Sequence, residues 1–340
     1  MRNDEAGVPP LAFVQLLNSG ALDAGSVAHF RRIVAGQFTS EMELVERNVQ
    51  VPVRWFRKVY PDLDSDSGTL LGLAFAEQAQ LTSFGPLSLP LVSASSVSEI
   101  FELLGYLPVI STALRPHFHH SERGLTVGLS GHTGDPALDC LVIAYAGSAL
   151  LRLVDLLAGT LPAVTLNLGW AAPRAQPRPK STFGARIVFD SPASFVDVPA
   201  DILNTPCRFP DPMAYRLAIN ELQRTLDRRS MPGSFTERVR RLLEQDPGRH
   251  RGCEVADLLA VSPSTMKRRL HSEGTTFRDV RQSLLRERAI LRLLDRPMSV
   301  SQIAADLGYA DLTNFSHAFK RWTGQSPSEF RRVGALGQDE

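Results

Sequence analysis

SQIAADLGYADLTNFSHAFKRWTGQSPSEFRR, Ser301 to Arg332, decides the fold of the C-terminal part of this chain. Ile303, Ala304 and Leu307 recur at helical spacing before Gly308, and Phe315, Ala318, Phe319 and Trp322 recur at i, i+3, i+4 and i+7 after it. The pattern predicts two helices joined at a glycine turn, with these residues facing inward. The opposite face of the second helix carries Thr313, Asn314, His317, Lys320 and Arg321. A short helix with such a face fits the major groove, where Arg and Lys donate to guanine O6 and N7 and Asn pairs with adenine N6 and N7.

Upstream, EVADLLAVSPSTMKRRLHSEG, Glu254 to Gly274, has the same layout. Val255, Leu258 and Leu259 are expected to pack against Met266 and Leu270, which leaves Ser264, Lys267, Arg268 and His271 on the outer side. Start and stop signals punctuate the helices. Ser262 with Pro263 supplies an N-cap and a first-turn proline, Gly274 follows a helix end, and Ser326, Pro327 and Glu329 have capping-box spacing. Between the two units, Phe277, Val280, Leu284, Leu291 and Leu294 mark one face of a helix of about 18 residues, roughly 27 Å long. Major-groove faces on one side of B-DNA repeat every ~34 Å, so one chain could read two neighbouring segments.

These residues resemble the DNA-binding domain of the AraC/XylS family of bacterial transcription regulators. VSPSTMKRRLHSEGTTF, the helix RQSLLRERAILRLL, and the G-Y, F-S-H-A-F and G-x-S-P-x-x-F-R elements of the last unit carry the resemblance over about 100 residues. It implies base-reading positions at Ser264, Lys267 and Arg268 in the first unit and at Leu312, Thr313, Asn314 and His317 in the second. Leu312 departs from the family pattern, which often has a hydrogen-bonding residue there; a leucine could touch a thymine methyl or fill space. Lys267 and Arg268 suit guanine or phosphate equally, so the first unit is expected to be the stronger reader. Double-stranded promoter DNA, a small-molecule effector and RNA polymerase are the implied partners, a homodimer is compatible with it, and the implied role is that of an activator.

The rest of the chain fits a second, regulatory domain. Its 340 residues, 43 % hydrophobic and 21 % charged, are enough for about two domains. The net charge of +1 hides an asymmetry: residues 235–334 hold 18 Lys and Arg against 12 Asp and Glu, a net +6, so the remainder carries −5. A phosphate backbone is attracted to the former and kept off the latter. Helical and strand signals mix up to about residue 205: a capping-box start at Ser96 and Glu99, alternation around Leu125 to Leu129, a long apolar helix from Ala137 to Gly159, a strand from Ala163, and two β-rich segments in ARIVFDSPASFVDVPADIL after a Pro-rich loop at Ala171 to Gly184. This order predicts an α+β N-terminal domain, residues 1–210, then a helical connector and linker, 211–234, an all-α double helix-turn-helix domain, 235–334, and a tail, 335–340. The N-terminal part is also similar to the arabinose-binding type of regulatory domain found in a long-chain branch of the family, through LTSFGPLSLPLVSASSVSEIFELLGYLP and ARIVFDSPASFVDVPADILNTP. No residue matches a sugar contact. A cupin-like jelly roll is the alternative, against which the helices starting near Ser96 and Ala137 count.

Sharper chemistry has plainer competitors. His117, His119 and His120 could suggest a metal, but neighbours on a strand point to opposite faces and no cysteine completes a site. GLSGH, Gly128 to His132, lacks the last glycine of a nucleophile elbow and is expected as a hairpin or loop. Cys140, Cys207 and Cys253 are too scattered for a disulfide framework or metal spacing and suit a reducing cytoplasm; Cys253, at a helix start, is a weak redox-sensor candidate. The polar N-terminus has no secretory pattern, and the apolar stretch Cys140 to Leu151 is too short to span a bilayer, so no membrane is expected. No phosphate loop, paired-carboxylate site or cofactor motif is apparent, so no enzyme is expected. The competing functions are a DNA-targeted enzyme acting on a small molecule and an architectural DNA binder without effector.

Overall fold

The computed structural model describes residues 6–174, 186–229, 235–245, 251–295 and 298–336. The chain divides into two compact units, Met1–Arg228 and Arg229–Glu340.

The first unit opens with β1 (Gly7–Val8), α1 (Pro10–Asn18), α2 (Ala24–Ala35), α3 (Glu41–Glu46), β2 (Val51–Pro52), α4 (Arg54–Val59) and α5 (Ser65–Ala76), with β1 and β2 pairing antiparallel. An aromatic knot of Phe13, Phe30, Trp55 and Phe56, all buried, holds these helices together edge to face. After α6 (Ser88–Ser93), α7 (Val97–Glu102) ends sooner than its apolar spacing predicts, giving way to a 3-10 turn over Leu103–Val109, with Pro108 inside it. Ser96 caps α7, accepting from the Glu99 N–H.

Strand β3 (Leu114–Ser121) turns tightly into β4 (Gly124–Gly131), and α8 (Pro136–Ala158) follows. GLSGH therefore lies in a hairpin, one of the two expected outcomes, with all but His132 in its second strand: Gly128 pairs with both His117 and Phe195. Strands β5 (Thr165–Asn167), β6 (Ile187–Val188) and β7 (Phe195–Pro199) complete a five-stranded sheet in the order β3-β4-β7-β5-β6, with only β5 and β6 parallel. Leu125, Val127 and Leu129 of β4 alternate into the core. The mixture of helices and sheet is the α+β class expected from the sequence. Most of the Pro-rich loop, 175–185, lies outside the described residues.

Helix α8 is the spine of this unit. Its 23 residues exceed the Cys140 to Leu151 stretch expected to be too short for a bilayer, so by length and composition it could cross one, yet 72 % of its most apolar window is buried inside the fold. Asp135 caps it, accepting from the Ala137 N–H at 3.0 Å, and grips Arg57 of α4 at 2.7 Å. Burial works against the Asp135 charge, but Arg57 and the capping donors outweigh it and hold this carboxyl below the usual range. Helix α5 lies against α8 backbone to backbone. A Cβ on Gly68 would sit 2.4 Å from the Ala137 carbonyl oxygen, and one on Gly72 would sit 2.4 Å from that of Leu141. Helix α9 (Ala200–Leu203) and α10 (Pro212–Arg229) close the unit. Leu222 of α10 is buried, with Tyr215, Ile219 and Leu226 packed on the same core, so the segment expected as a connector is docked over most of its length. The expected break at Pro232 and Gly233 lies outside the described residues.

The second unit is all α: α11 (Phe235–Gln245), α12 (Gly252–Leu258), α13 (Pro263–Ser272), α14 (Phe277–Leu294), α15 (Val300–Asp306), α16 (Leu312–Thr323) and α17 (Pro327–Leu336). Phe235, Val239 and Leu243 of α11 join Val255, Ala256, Met266, Leu270, Val280 and Leu284 in one core. Downstream, α14 packs against α15, α16 and α17, so it serves both halves. Arg240 and Glu287, both buried, meet at 2.5 Å and tie α11 to α14.

Candidate nucleic-acid interface

The two helix-turn-helix units are built alike down to single hydrogen bonds. In the first turn the Ala260 N–H donates to Asp257 O and the Val261 N–H to Ala256 O; in the second the Gly308 N–H donates to Ala305 O and the Tyr309 N–H to Ala304 O. The pivot takes a left-handed conformation in both, φ 53° at Ala260 and 79° at Gly308. Glycine adopts it freely and alanine does so at a cost of about 1–2 kcal/mol, so the first turn is the strained copy.

Capping fixes where each outer helix begins. Ser262 accepts from the Thr265 N–H at the start of α13, and Asp311 accepts from the Asn314 N–H at 2.7 Å at the start of α16. At α15, Ser299 and Gln302 form a full capping box, and Ser326 and Glu329 do so ahead of α17. Hydrogen bonds from Ser326 hold the Glu329 carboxyl below its usual pKa, with Lys320 and Arg332 adding smaller favourable fields.

Buried residues under α16 are those its spacing predicts, with one exception. Phe315 and Phe319 are fully buried, and Phe319 meets Phe330 of α17 edge to face at 5.3 Å. Trp322 stays partly exposed at the rim, against Tyr309. In the first unit Val255, Met266 and Leu270 are buried, but Leu258 is 61 % exposed and Ala256 takes the inward place. The α12 helix stops at Leu258, so the residue falls on the outer side of its last turn. Arg331 of α17 ties the second half to α14 and the segment after it, donating to Met298 O at 2.6 Å and to Leu293 O at 3.4 Å.

Every expected reading residue is on the surface: Ser264, Lys267, Arg268 and His271 on α13, and Leu312, Thr313, Asn314, His317, Lys320 and Arg321 on α16. Among the described residues none of the cations Lys267, Arg268, Lys320 and Arg321 is in an ion pair, whereas Arg240 and Arg292 of the same unit are. Arg269, next to Arg268, leans over the Phe235 ring at 5.2 Å and turns away from that face. Two details escape a reading by residue type. The Asn314 amide donates to the Asp311 carboxylate at 2.7 Å, so its side chain is already steered by the N-cap. Leu312 is 43 % exposed beside it, an apolar surface of the right kind for a thymine methyl.

Other candidates fall away from any site. Among the described residues no group of three His, Cys, Asp or Glu could hold a metal. Cys140 and Cys207 are buried, and burial pushes the Cys207 thiol up to about 11, the reverse of a reactive thiolate; Cys253 is exposed.

Both halves of the chain match known protein families. Residues 255–333 match a helix-turn-helix domain family, and residues 50–207 match the N-terminal arabinose-binding domain of AraC transcription regulators. The chain is 25 % identical over 272 residues to the HTH-type transcriptional regulator VqsM of Pseudomonas aeruginosa, covering 76 % of this chain and 83 % of that protein. It is 26 % identical over 271 residues to the ornithine utilization regulator of the same species, covering 77 % and 78 %. A crystal structure of the transcriptional regulator CdpR from Pseudomonas aeruginosa aligns with 85 % of this chain and 95 % of that one at 23 % identity, with a TM-score of 0.39. With the arabinose-binding domain of AraC transcription regulators over residues 50–207, a helix-turn-helix domain over residues 255–333 and transcription regulators as relatives along most of its length, this chain belongs to the AraC family of transcription regulators.

Proposed function

We propose that this regulator reads promoter DNA with α13 and α16 in successive major-groove segments and activates transcription in response to an effector bound by its N-terminal domain. The observation that carries the reading is the pair of like-built helices whose outward cations Lys267, Arg268, Lys320 and Arg321 are, among the described residues, in no ion pair. An exposed, unpaired Lys or Arg on a buried scaffold is free to release counterions from phosphate or to donate to a base edge.

Within this reading Ser264, Lys267 and Arg268 contact bases in the first half, and Leu312, Thr313, Asn314 and His317 in the second. Lys320 and Arg321, in the last turn of α16, face phosphate. The capped start of α16 presents Asn314 with its amide donor steered by Asp311. RNA polymerase is the partner through which activation would act, and the cytoplasm is where both meet DNA. Self-association is assigned to the start of α10, where Met213 and Leu217 stand one turn apart and Phe209 lies in the segment just before the helix, each about 60 % exposed. Asp211 and Arg216 lie on either side of Met213, so an antiparallel second copy centred there would set opposite charges across the pair.

Selection of bound fragments from random DNA with the purified chain tests the reading. A motif with two conserved blocks about one helical turn apart is expected. Recovery of fragments with no common motif would leave only non-specific binding.

A further inference from the structure

A partly open pocket lies in the N-terminal unit where α1, α4, α5 and α8 meet. Its walls are aromatic and aliphatic, with Phe13, Phe56 and Phe75 among them, and its polar groups are Gln78, Ser83 and Tyr145. Ser83 is satisfied within the fold: its hydroxyl donates to the Gln15 side-chain Oε1 and accepts from the Gln80 backbone N–H. Gln78 and Tyr145 are not. Among the described residues neither the Gln78 amide nor the Tyr145 hydroxyl has a hydrogen-bond partner, although neither side chain is fully exposed. Burial pushes the Tyr145 hydroxyl well above its ordinary pKa, so it is a neutral donor at any physiological pH.

The lining also limits what can enter. No charged side chain contributes to it, so a carboxylate or ammonium inside would be desolvated without compensation. A polyol would leave most of its hydroxyls unpaired against phenylalanine and leucine. The space is about 440 Å³ counted out to the open mouth, at the small end of the range for ligand pockets. That suits a ligand of a single ring or a short chain.

We propose that this pocket is the effector site and that the effector is a small uncharged molecule, mainly apolar, whose one or two hydrogen-bonding groups are taken by Gln78 and Tyr145. The inference rests on the reading of the N-terminal domain as effector-controlled. It departs from a sugar as the ligand class. The location gives the ligand leverage, because the pocket lies on the α5–α8 seam, where the two backbones already touch at Gly68 and Gly72. A ligand wedged there favours whichever arrangement of α5 and α8 it fits better, which is what an effector requires.

Calorimetry on the full chain with benzyl alcohol as probe, benzoate as its charged counterpart and L-arabinose as the polyol tests the site, alongside DNA binding with and without benzyl alcohol. Saturable binding of benzyl alcohol is expected, with benzoate and arabinose at least about tenfold weaker. Tyr145→Phe and Gln78→Leu should each weaken it about 3- to 10-fold. Ala12→Phe, from the half-exposed face of α1, should fill the pocket and abolish binding. No binding of benzyl alcohol, equal binding of arabinose, or affinity unchanged in both Tyr145→Phe and Gln78→Leu would overturn the assignment. If benzyl alcohol binds as expected but DNA affinity does not respond, the ligand site stands and effector control through it fails. If DNA affinity responds to benzyl alcohol equally in all three variants, effector control stands and the pocket is the wrong place.

Discussion

Arg268 and Arg269 are neighbours with opposite fates, and the difference lies in what each side chain touches. Arg269 rests on the Phe235 ring and supports the core; Arg268 is exposed and in no ion pair among the described residues. Arg268→Ala should therefore leave thermal stability unchanged while weakening specific DNA binding by about 1–3 kcal/mol if it reads a base, measured by titration against the selected site. Lys320→Ala should instead weaken binding evenly across sequences and lower the salt slope by about one. Ala260 offers a test without DNA. Ala260→Gly relieves a left-handed alanine worth about 1–2 kcal/mol but frees the unfolded chain by about 0.4–1 kcal/mol, so a net gain of about 0.5–1 kcal/mol in urea unfolding is expected. The outward positions of α13 and α16 were legible from spacing alone because a helix has one period and its buried face reveals the other. Leu258 and Trp322 were misplaced because burial at the last turn of a helix depends on where the helix stops and what lies over its end. The hold of Asp311 on Asn314 is a matter of rotamer, which spacing does not encode.

At the scale of elements, the N-terminal unit turns on the contact of α5 with α8. Gly68 and Gly72 are one turn apart and face backbone, which cannot shift as a flexible side chain can. Gly72→Ala should cost about 1–3 kcal/mol from overpacking, more than the 0.5–1 kcal/mol that alanine gains in a helix, and should lower the melting temperature of this unit. Helix α10 makes a different prediction. Leu217 is 63 % exposed, so Leu217→Glu should leave folding intact and shift the chain from dimer to monomer in sedimentation if the exposed Met213 and Leu217, with Phe209 ahead of the helix, pair two copies. Long helices such as α8 and α14 were legible as elements. The sheet order β3-β4-β7-β5-β6 was not, since β7 inserts between β4 and β5 through pairings distant in sequence, and β6 is two residues long. The pocket was equally hidden, because its walls come from four helices.

For the whole molecule, the sequence divides labour by charge and by period: a net +6 and pure helical spacing in residues 235–334, against −5 and mixed spacing in the rest. That contrast makes the DNA-binding half recognisable from sequence. The sensing half has no such signature, because a ligand pocket needs only a shape and two or three polar groups. An effector can shift DNA binding only by its difference in affinity between arrangements of the chain, so its influence is bounded by that difference and not by how tightly it binds. The central claim is that one chain reads two successive major-groove segments with α13 and α16. Hydroxyl-radical footprinting of the full chain on its selected site tests it most directly. Two protected patches on one face of the duplex, about 10 base pairs apart, are expected, with Arg268→Ala erasing sequence preference under one patch and sparing the other. A single patch, or a footprint that Arg268→Ala leaves unchanged, would contradict it.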